Sequence, residues 1–177
     1  MNHKKLGRSV HKAISRYASR LDQISDAEFN RTPGKGGWSY SEVYSHIFDS
    51  TLLSLMAISN CIKGEGRIEP TAPAVKAILF FGMLPPGKRY KVPKRLADRV
   101  KKISRTEAAQ LIENTLLQFE KVKAGIPLAS TKIKVAHPRL GYLNAAQWLR
   151  FIEIHFNHHL KQLKRIEKDL HTSTSSV

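Results

Sequence analysis

The chain has 177 residues, one cysteine, and a formal net charge of +16 from 30 Lys and Arg residues against 14 Asp and Glu residues. A chain of this length can bury one hydrophobic core, so we predict a single domain over residues 1–170. One cysteine excludes an internal disulfide framework and favours a reducing, cytoplasmic compartment, and the most apolar run, Ala77–Leu84, is too short to span a membrane.

The first predicted helix extends from Lys4 to about Ile24. Its apolar residues recur at spacings of three and four, and its Lys and Arg residues lie on the opposite side, which is typical of an amphipathic helix. The residues that follow, Asp26–Gly37, lose this period and contain one proline and several glycines. We therefore expect a loop there.

A second predicted helix begins at Ser39, because Ser39 and Glu42 have the spacing of a capping box. It ends near Lys63, where glycines follow. His46 lies two turns inside this helix, with Glu42 about one turn before it and Asp49 about one turn after it. Either carboxylate is therefore a candidate to orient the second ring nitrogen of His46.

Residues 65–103 are predicted to form a long crossover between the second and third helices. Unstructured connections of this length are uncommon in compact domains, so we expect a short helix near Ala74–Phe81. We expect the apolar side chains of Phe80, Phe81 and Met83 to fill the core rather than to form a ligand-binding flap.

The crossover contains a basic segment, residues 88–105, in which Asp98 is the one acid among many Lys and Arg residues. Such a charge favours an anionic partner. Modules that bind nucleic acids usually add aromatic or glycine-rich elements that read bases, and here only Tyr90 lies among the charges. We therefore expect a solvated basic rim, with nucleic acid as the less favoured partner.

The third predicted helix begins at Ser104, where Glu107 completes a second capping box, and it reaches about Val122. The run from His137 to Tyr142 then contains proline and glycine and leads into the last helix. We expect His137 to brace this loop rather than to line a pocket.

The fourth predicted helix is capped by Asn144 with Gln147 and reaches about Leu170. The remaining residues, 171–177, are rich in Ser and Thr, and we predict a disordered tail. No segment shows a strand pattern. Four helices with one long crossover between the second and third indicate an all-α protein folded as a four-helix bundle.

Two histidines of the last helix, His155 and His159, lie four residues apart and share one face, so both imidazoles can bind one metal ion. Facing helices of a bundle place inward side chains together, which adds His46 and gives a site of three nitrogens with positions left open. The alternative is a metal-free cluster of hydrogen-bonded core histidines. Gln162, one turn beyond His159, could donate to a bound water or cap the core, and His158 is expected to leave the pocket.

Two stretches carry recognisable motifs, WSYSEVYSHI in the second helix and HPRLGYLNAAQWLRFIEIHFNHHLKQ before and within the fourth. The first has a Trp-Ser helix start with a His seven residues after the Ser. The second has an HP-x-x-G-x-L entry and a late His-x-x-x-His followed by Gln. Together these motifs resemble the bacterial DinB/YfiT-like superfamily over nearly the whole chain.

The resemblance implies an up-down-down-up bundle and a divalent metal ion, Zn, Ni or similar, held by three histidines. By position the implied ligands are His46, His155 and His159. It also implies frequent homodimers, and relatives that include metal-dependent hydrolases and thiol S-transferases.

Two functions of different classes are open at this point. The first is a metal-dependent hydrolase or small-thiol S-transferase whose substrate is a small molecule, anionic or thiol-containing, with no catalytic base identified. The second is a non-catalytic module that uses the basic segment to bind an anionic partner. Structural zinc usually has four protein ligands, so a set of three with an open position favours the enzyme.

Overall fold

The computed structural model describes residues 2–34, 36–84 and 99–174, and four long helices in these ranges form a bundle. Helices α1 (His3–Gln23) and α3 (Tyr40–Lys63) each pack against α5 (Arg105–Lys123) and α6 (Ala145–Thr174). The expected four-helix bundle is therefore confirmed. The shorter helices are α2 (Asp26–Phe29), α4 (Pro73–Phe81) and a 3-10 helix (Ile126–Leu128).

Three of the long helices begin with the reciprocal hydrogen bonds of a capping box, as predicted. At α3 the backbone N–H of Ser39 donates to Oε2 of Glu42 at 2.9 Å, and the N–H of Glu42 donates to Oγ of Ser39 at 3.4 Å. Such a cap satisfies donors that have no partner within the helix, so it fixes where the helix begins. The same exchange begins α5 and α6, at Ser104 with Glu107 and at Asn144 with Gln147.

A small antiparallel sheet corrects the expectation that the chain has no strands. β1 (Arg67–Ile68), β2 (Ile133–His137) and β3 (Gly141–Leu143) lie in the order β1-β2-β3. These strands have two, five and three residues, which is too short for an alternating pattern to stand out. β2 and β3 form a hairpin, and Gly141 closes its turn with a φ of +69°, a conformation that favours glycine.

Buried aromatic residues join three of the long helices. The hydroxyl of Tyr17 on α1 donates to the backbone oxygen of Phe156 on α6 at 3.1 Å, and the hydroxyl of Tyr44 on α3 donates to the backbone oxygen of Tyr17 at 2.8 Å. Both tyrosines are fully buried and contact Phe48. Because each hydrogen bond crosses between helices, this cluster fixes α3 relative to α6.

Two further expectations differ from the structure. Phe80, Phe81 and Met83 do not fill the core, since they are 80%, 71% and 59% exposed at the end of α4. Helix α6 continues to Thr174, four residues beyond the predicted end at Leu170, so residues 171–174 of the expected tail are helical. Residues 175–177, and residues 88–98 of the basic segment, lie outside the described ranges.

None of the helices in the described ranges is both long enough and apolar enough to cross a membrane.

Candidate metal centre

The structure brings three predicted site residues together between α3 and α6. His46 comes from α3, and His155 and His159 come from successive turns of α6. Their candidate ligand atoms all lie within 4.8 Å of one another. The ring centres of His155 and His159 are 4.6 Å apart, and the ring centre of His46 lies 5.2 and 5.0 Å from theirs. We call these residues the histidine triad.

Hydrogen bonds fix the orientation of both α6 imidazoles. Nδ1 of His159 donates to Oε1 of Gln162 at 2.8 Å. Oγ of Ser50 already donates to the backbone oxygen of His46 at 2.7 Å, so its contact with Nδ1 of His155 at 3.5 Å uses the serine oxygen as acceptor. The proton of neutral His159 is then on Nδ1, and its Nε2 carries a lone pair, whereas the longer Ser50 contact is consistent with the same tautomer of His155.

The Nε2 atoms of the two α6 imidazoles face each other. Nε2 of His155 and Nε2 of His159 are separated by 3.0 Å. Zinc–nitrogen bonds are about 2.0–2.1 Å long, so two nitrogens on one ion lie no more than about 4.2 Å apart. The observed separation fits a shared cation, and three imidazoles are a donor set that suits Zn, Cu, Fe and Ni.

Burial keeps the histidine triad uncharged. Removal from water lowers the pKa of His46 from 6.5 to about 4, against the opposing charge of Asp49. It lowers the pKa of His155 well below 6.5, with the neighbouring His159 adding to the effect, and it lowers the pKa of His159 in the same direction, with His46 adding to it. All three rings are therefore neutral at neutral pH, which is the form that binds metal.

The two carboxylates expected to orient His46 have other partners. Oε2 of Glu42 accepts hydrogen bonds from the backbone and hydroxyl of Ser39, at the start of α3. Asp49 forms a bidentate pair with Arg99, at 2.7 Å from Nε and 2.6 Å from Nη2. Among the described residues neither carboxylate is hydrogen-bonded to His46. Asp49 acts on that ring through its charge alone.

Two aromatic rings cover the histidine triad. Phe151, one turn before His155 on α6, lies nearly parallel to the His155 ring at 5.2 Å. Trp38, just before the α3 cap, is parallel to the His159 ring at 6.3 Å and meets His46 edge to face at 5.1 Å. The sequence motifs did not assign these two residues to the site. Their apolar surfaces keep water from the sides of the imidazoles.

The histidine triad lines a pocket of about 720 Å³. This volume falls within the range of small-molecule sites, about 300–1,000 Å³. Apolar side chains from α3, α4, the hairpin and α6 make up most of the wall. They include Leu53, Met56, Ala57, Val75, Ile78, Val135, Leu140, Trp148 and Phe151.

Two more histidines line this pocket, contrary to expectation. His158 is half-buried and forms part of the wall instead of leaving the pocket. His137 braces its loop, as expected, by accepting hydrogen bonds from the backbone of Arg139 and Leu140, but its ring also lines the pocket. A helical wheel of α6 alone could not show this, because the hairpin and α4 supply the facing wall.

A family model described as the DinB superfamily matches residues 9–163. One similar solved structure is TT2238, described as a four-helix bundle protein, with 17% identity, 93% of this chain and 99% of that chain covered, and a TM-score of 0.62. Another is YfiT from Bacillus subtilis, described as a probable metal-dependent hydrolase with an unusual four-helix bundle topology. It is 13% identical, with 95% of this chain and 87% of that chain covered and a TM-score of 0.63.

At these identities the two solved structures show that the fold is shared. Comparison with curated proteins gave no match.

Proposed function

The chain belongs to the DinB superfamily, and from its histidine triad and apolar pocket we infer that it is a divalent-metal-dependent enzyme, a hydrolase or a thiol S-transferase acting on a small molecule. The observation that carries this inference is the pair of Nε2 atoms of His155 and His159, 3.0 Å apart, with His46 completing the set. Within the described residues no carboxylate or cysteine joins these histidines in the candidate metal cluster. Coordination positions therefore stay open on the pocket side.

His46, His155 and His159 would hold the ion. A divalent ion bound by three histidines supplies a Lewis acid and lowers the pKa of a bound water or thiol. Gln162 prepares the site by holding the Nδ1 proton of His159, so that its Nε2 is ready to bind without a change of tautomer, and Ser50 contacts Nδ1 of His155. Trp38 and Phe151 exclude water from the imidazole faces.

The pocket wall indicates what the enzyme accepts. A pocket of about 720 Å³ with an apolar wall favours a substrate that buries hydrocarbon surface and places one polar, reactive group at the histidine triad. The likeness to YfiT, described as a probable metal-dependent hydrolase, is consistent with hydrolysis. The S-transferase alternative keeps the same site and replaces the attacking water with a thiol.

The interaction-module alternative receives less support from the part of the basic segment that the structure describes. Arg99 pairs with Asp49. Lys102 donates to the backbone oxygen of Asn30, and Arg105 donates to the backbone oxygen of Leu21. These three cations therefore have structural partners within the bundle, and the enzyme is the better-supported function.

The test is a reaction screen on protein purified without a histidine tag and loaded with Zn²⁺ or Ni²⁺. Hydrolysis is measured as release of 4-nitrophenol from 4-nitrophenyl acetate, and thiol transfer as formation of a thioether from cysteine and 1-chloro-2,4-dinitrobenzene. We expect metal-dependent turnover in one of the two assays. His46→Ala should abolish it, whereas His11→Ala, at an exposed position on α1, should not. Equal rates with and without metal in both assays would contradict the inference.

A further inference from the structure

The turn of the β2–β3 hairpin fixes the tautomer of His137. Nδ1 of this ring accepts a hydrogen bond from the backbone N–H of Arg139 at 3.1 Å and a second from the backbone N–H of Leu140 at 3.0 Å. A nitrogen that accepts two N–H groups carries no proton. The single proton of the neutral ring must therefore be on Nε2.

The ring is neutral over the physiological range. Burial lowers the pKa of His137 from 6.5 to about 4, and the charge of Arg139 adds to the effect. His137 is thus an uncharged donor, since the hairpin amides fix its tautomer and its surroundings prevent it from gaining a second proton.

The position of the ring makes this donor available to a ligand. The imidazole packs against Trp148 and Phe151, with ring centres 5.2 and 4.5 Å away, and it forms part of the pocket wall. Within the described residues Nε2 of His137 has no hydrogen-bond partner, and it is not sealed inside the protein as Nε1 of Trp148 is. The unused N–H lies in an apolar wall, where a hydrogen bond to a ligand is stronger than in water.

Phe151 places this donor at a defined distance from the histidine triad. The Phe151 ring contacts the His137 ring edge to face and stacks against the His155 ring at 5.2 Å. One aromatic ring therefore separates the donor from the nearest imidazole of the triad.

We propose that Nε2–H of His137 is a substrate-binding group, and that the pocket takes apolar compounds with an uncharged hydrogen-bond acceptor, such as a ketone, ester or amide oxygen. This acceptor would lie about the width of one aromatic ring from the substrate group that reacts at the histidine triad. A neutral donor in a largely apolar wall favours an uncharged acceptor, because an uncharged acceptor loses much less hydration on burial than an anion does. This assignment deepens the proposed function and rests on it for the reaction, whereas binding by the donor does not require the metal.

The test compares benzophenone with diphenylmethane, which has the same two rings but a methylene in place of the carbonyl. Binding of each probe to the full chain is measured by equilibrium dialysis with a chelator present, so that no ion can bind the carbonyl. His137→Asn is the informative variant, because the asparagine Oδ1 can still accept the hairpin amides while the Nε2–H donor is removed. Loss of one neutral hydrogen bond should weaken benzophenone binding about 3- to 10-fold relative to diphenylmethane.

Two further variants separate a binding role from a structural one. His137→Gln, whose amide can reach the position of Nε2, should restore most of the preference for benzophenone. His11→Asn, at an exposed position on α1 outside the pocket, should leave the ratio of the two dissociation constants as in the wild type. An unchanged ratio in His137→Asn, or an equal loss in His11→Asn, would refute the assignment.

The outcomes also separate this assignment from the proposed function. If the wild-type chain prefers benzophenone but shows no metal-dependent turnover, the donor assignment stands and the enzyme proposal is wrong. If it shows turnover but no preference for benzophenone, the enzyme proposal stands and the donor assignment is wrong. Long-range ¹H–¹⁵N spectra of the chelated protein provide a readout without any ligand, since His137 should show the Nε2–H tautomer at neutral pH.

Discussion

Nε2 of His155 lies 3.0 Å from Nε2 of His159, and the other nitrogen of each ring is already engaged, by Ser50 and by Gln162. At this distance either a proton on one Nε2 or a shared cation joins the two rings, the first in a metal-free cluster of hydrogen-bonded histidines and the second in a metal site. Burial lowers the pKa of both rings well below 6.5, so neither ring is an imidazolium at neutral pH. The Nδ1 proton of His159, held by Gln162, and the third neutral nitrogen supplied by His46 favour the cation.

We expect the wild-type chain, purified without a tag, to bind one divalent ion. His46→Ala should lose most of the bound metal under equal loading, because two imidazoles from one helix hold an ion poorly. Elemental analysis after gel filtration measures the stoichiometry. His158→Ala changes a pocket histidine outside the histidine triad and should keep full occupancy. If His46→Ala stays fully loaded as well, the ligand set is wrong.

Gln162→Leu should weaken metal binding without unfolding the protein. The substitution removes the acceptor that holds the Nδ1 proton of His159, so the ring is free to rotate or to change tautomer. Substitutions of this kind lower metal affinity about 10- to 100-fold. Competition with a chromophoric chelator gives the dissociation constant. Gln118→Leu alters a glutamine of α5 that contacts Asn114, and it should leave the affinity unchanged.

The features that the sequence predicted well are those with local causes. Capping boxes at Ser39, Ser104 and Asn144 mark helix starts through neighbouring residues alone, and the spacing of His155 and His159 places both on one face of a helix. The bundle then brings His46 to them, because a residue two turns from a known cap has a definite position on its helix. The convergence of the three histidines could therefore be predicted.

The features that were missed depend on contacts between distant parts of the chain. Proximity along α3 made Glu42 and Asp49 the candidate partners of His46, but Arg99, fifty residues from Asp49, binds the Asp49 carboxylate with two hydrogen bonds. The strands are short, and β1 pairs with β2 across more than sixty residues, as Ile68 with Ile133. The pocket wall depends on this hairpin, so the positions of His137 and His158 in the wall could not be predicted from helical periodicity.

In the metal-free protein, acidification should destabilise the fold. The folded-state pKa of His46 is about 4, below its ordinary value of 6.5, so the unfolded chain binds more protons between these values. The stability contributed by neutral His46 is complete above about pH 6.5 and is lost as the pH falls toward 4. Urea unfolding with a chelator at several pH values measures this slope. His46→Gln should flatten it, and an unchanged slope in that variant would contradict the explanation.

Bound metal should raise the melting temperature of the wild type, because an ion that binds only the folded state shifts the unfolding equilibrium. The increase should fade as the pH approaches about 5, since protons compete for imidazoles that must be neutral to bind metal. Calorimetry with and without Zn²⁺ at two pH values measures it. The double variant His155→Ala/His159→Ala should show no increase at either pH. A wild-type melting curve that does not respond to metal at about pH 7.5 would exclude a metal site of useful affinity.

The basic segment leads to a separate expectation about nucleic acid. Three of its four described cations, Arg99, Lys102 and Arg105, have partners within the bundle, and such side chains are less available to phosphates. We therefore expect only weak binding to duplex DNA or RNA, independent of base sequence and lost near an ionic strength of about 0.15 M. Fluorescence anisotropy across a salt series measures both the affinity and the salt dependence.

A charge-matched comparison locates whatever binding remains at low salt. One variant neutralises Lys94, Arg95 and Lys101, of which the first two lie outside the described residues. The slope of its log binding constant against log salt concentration should be smaller by up to about 0.9 for each phosphate that the variant no longer neutralises. Neutralising Lys5, Lys12 and Arg16, three exposed cations of α1, removes the same charge from another surface. Equal reductions would indicate that net charge alone drives the binding. The decisive result would be submicromolar, sequence-selective binding near about 0.15 M salt that is abolished only by the variant of the basic segment. That result would make the interaction module the better-supported function, because a metal-dependent enzyme does not require such a surface.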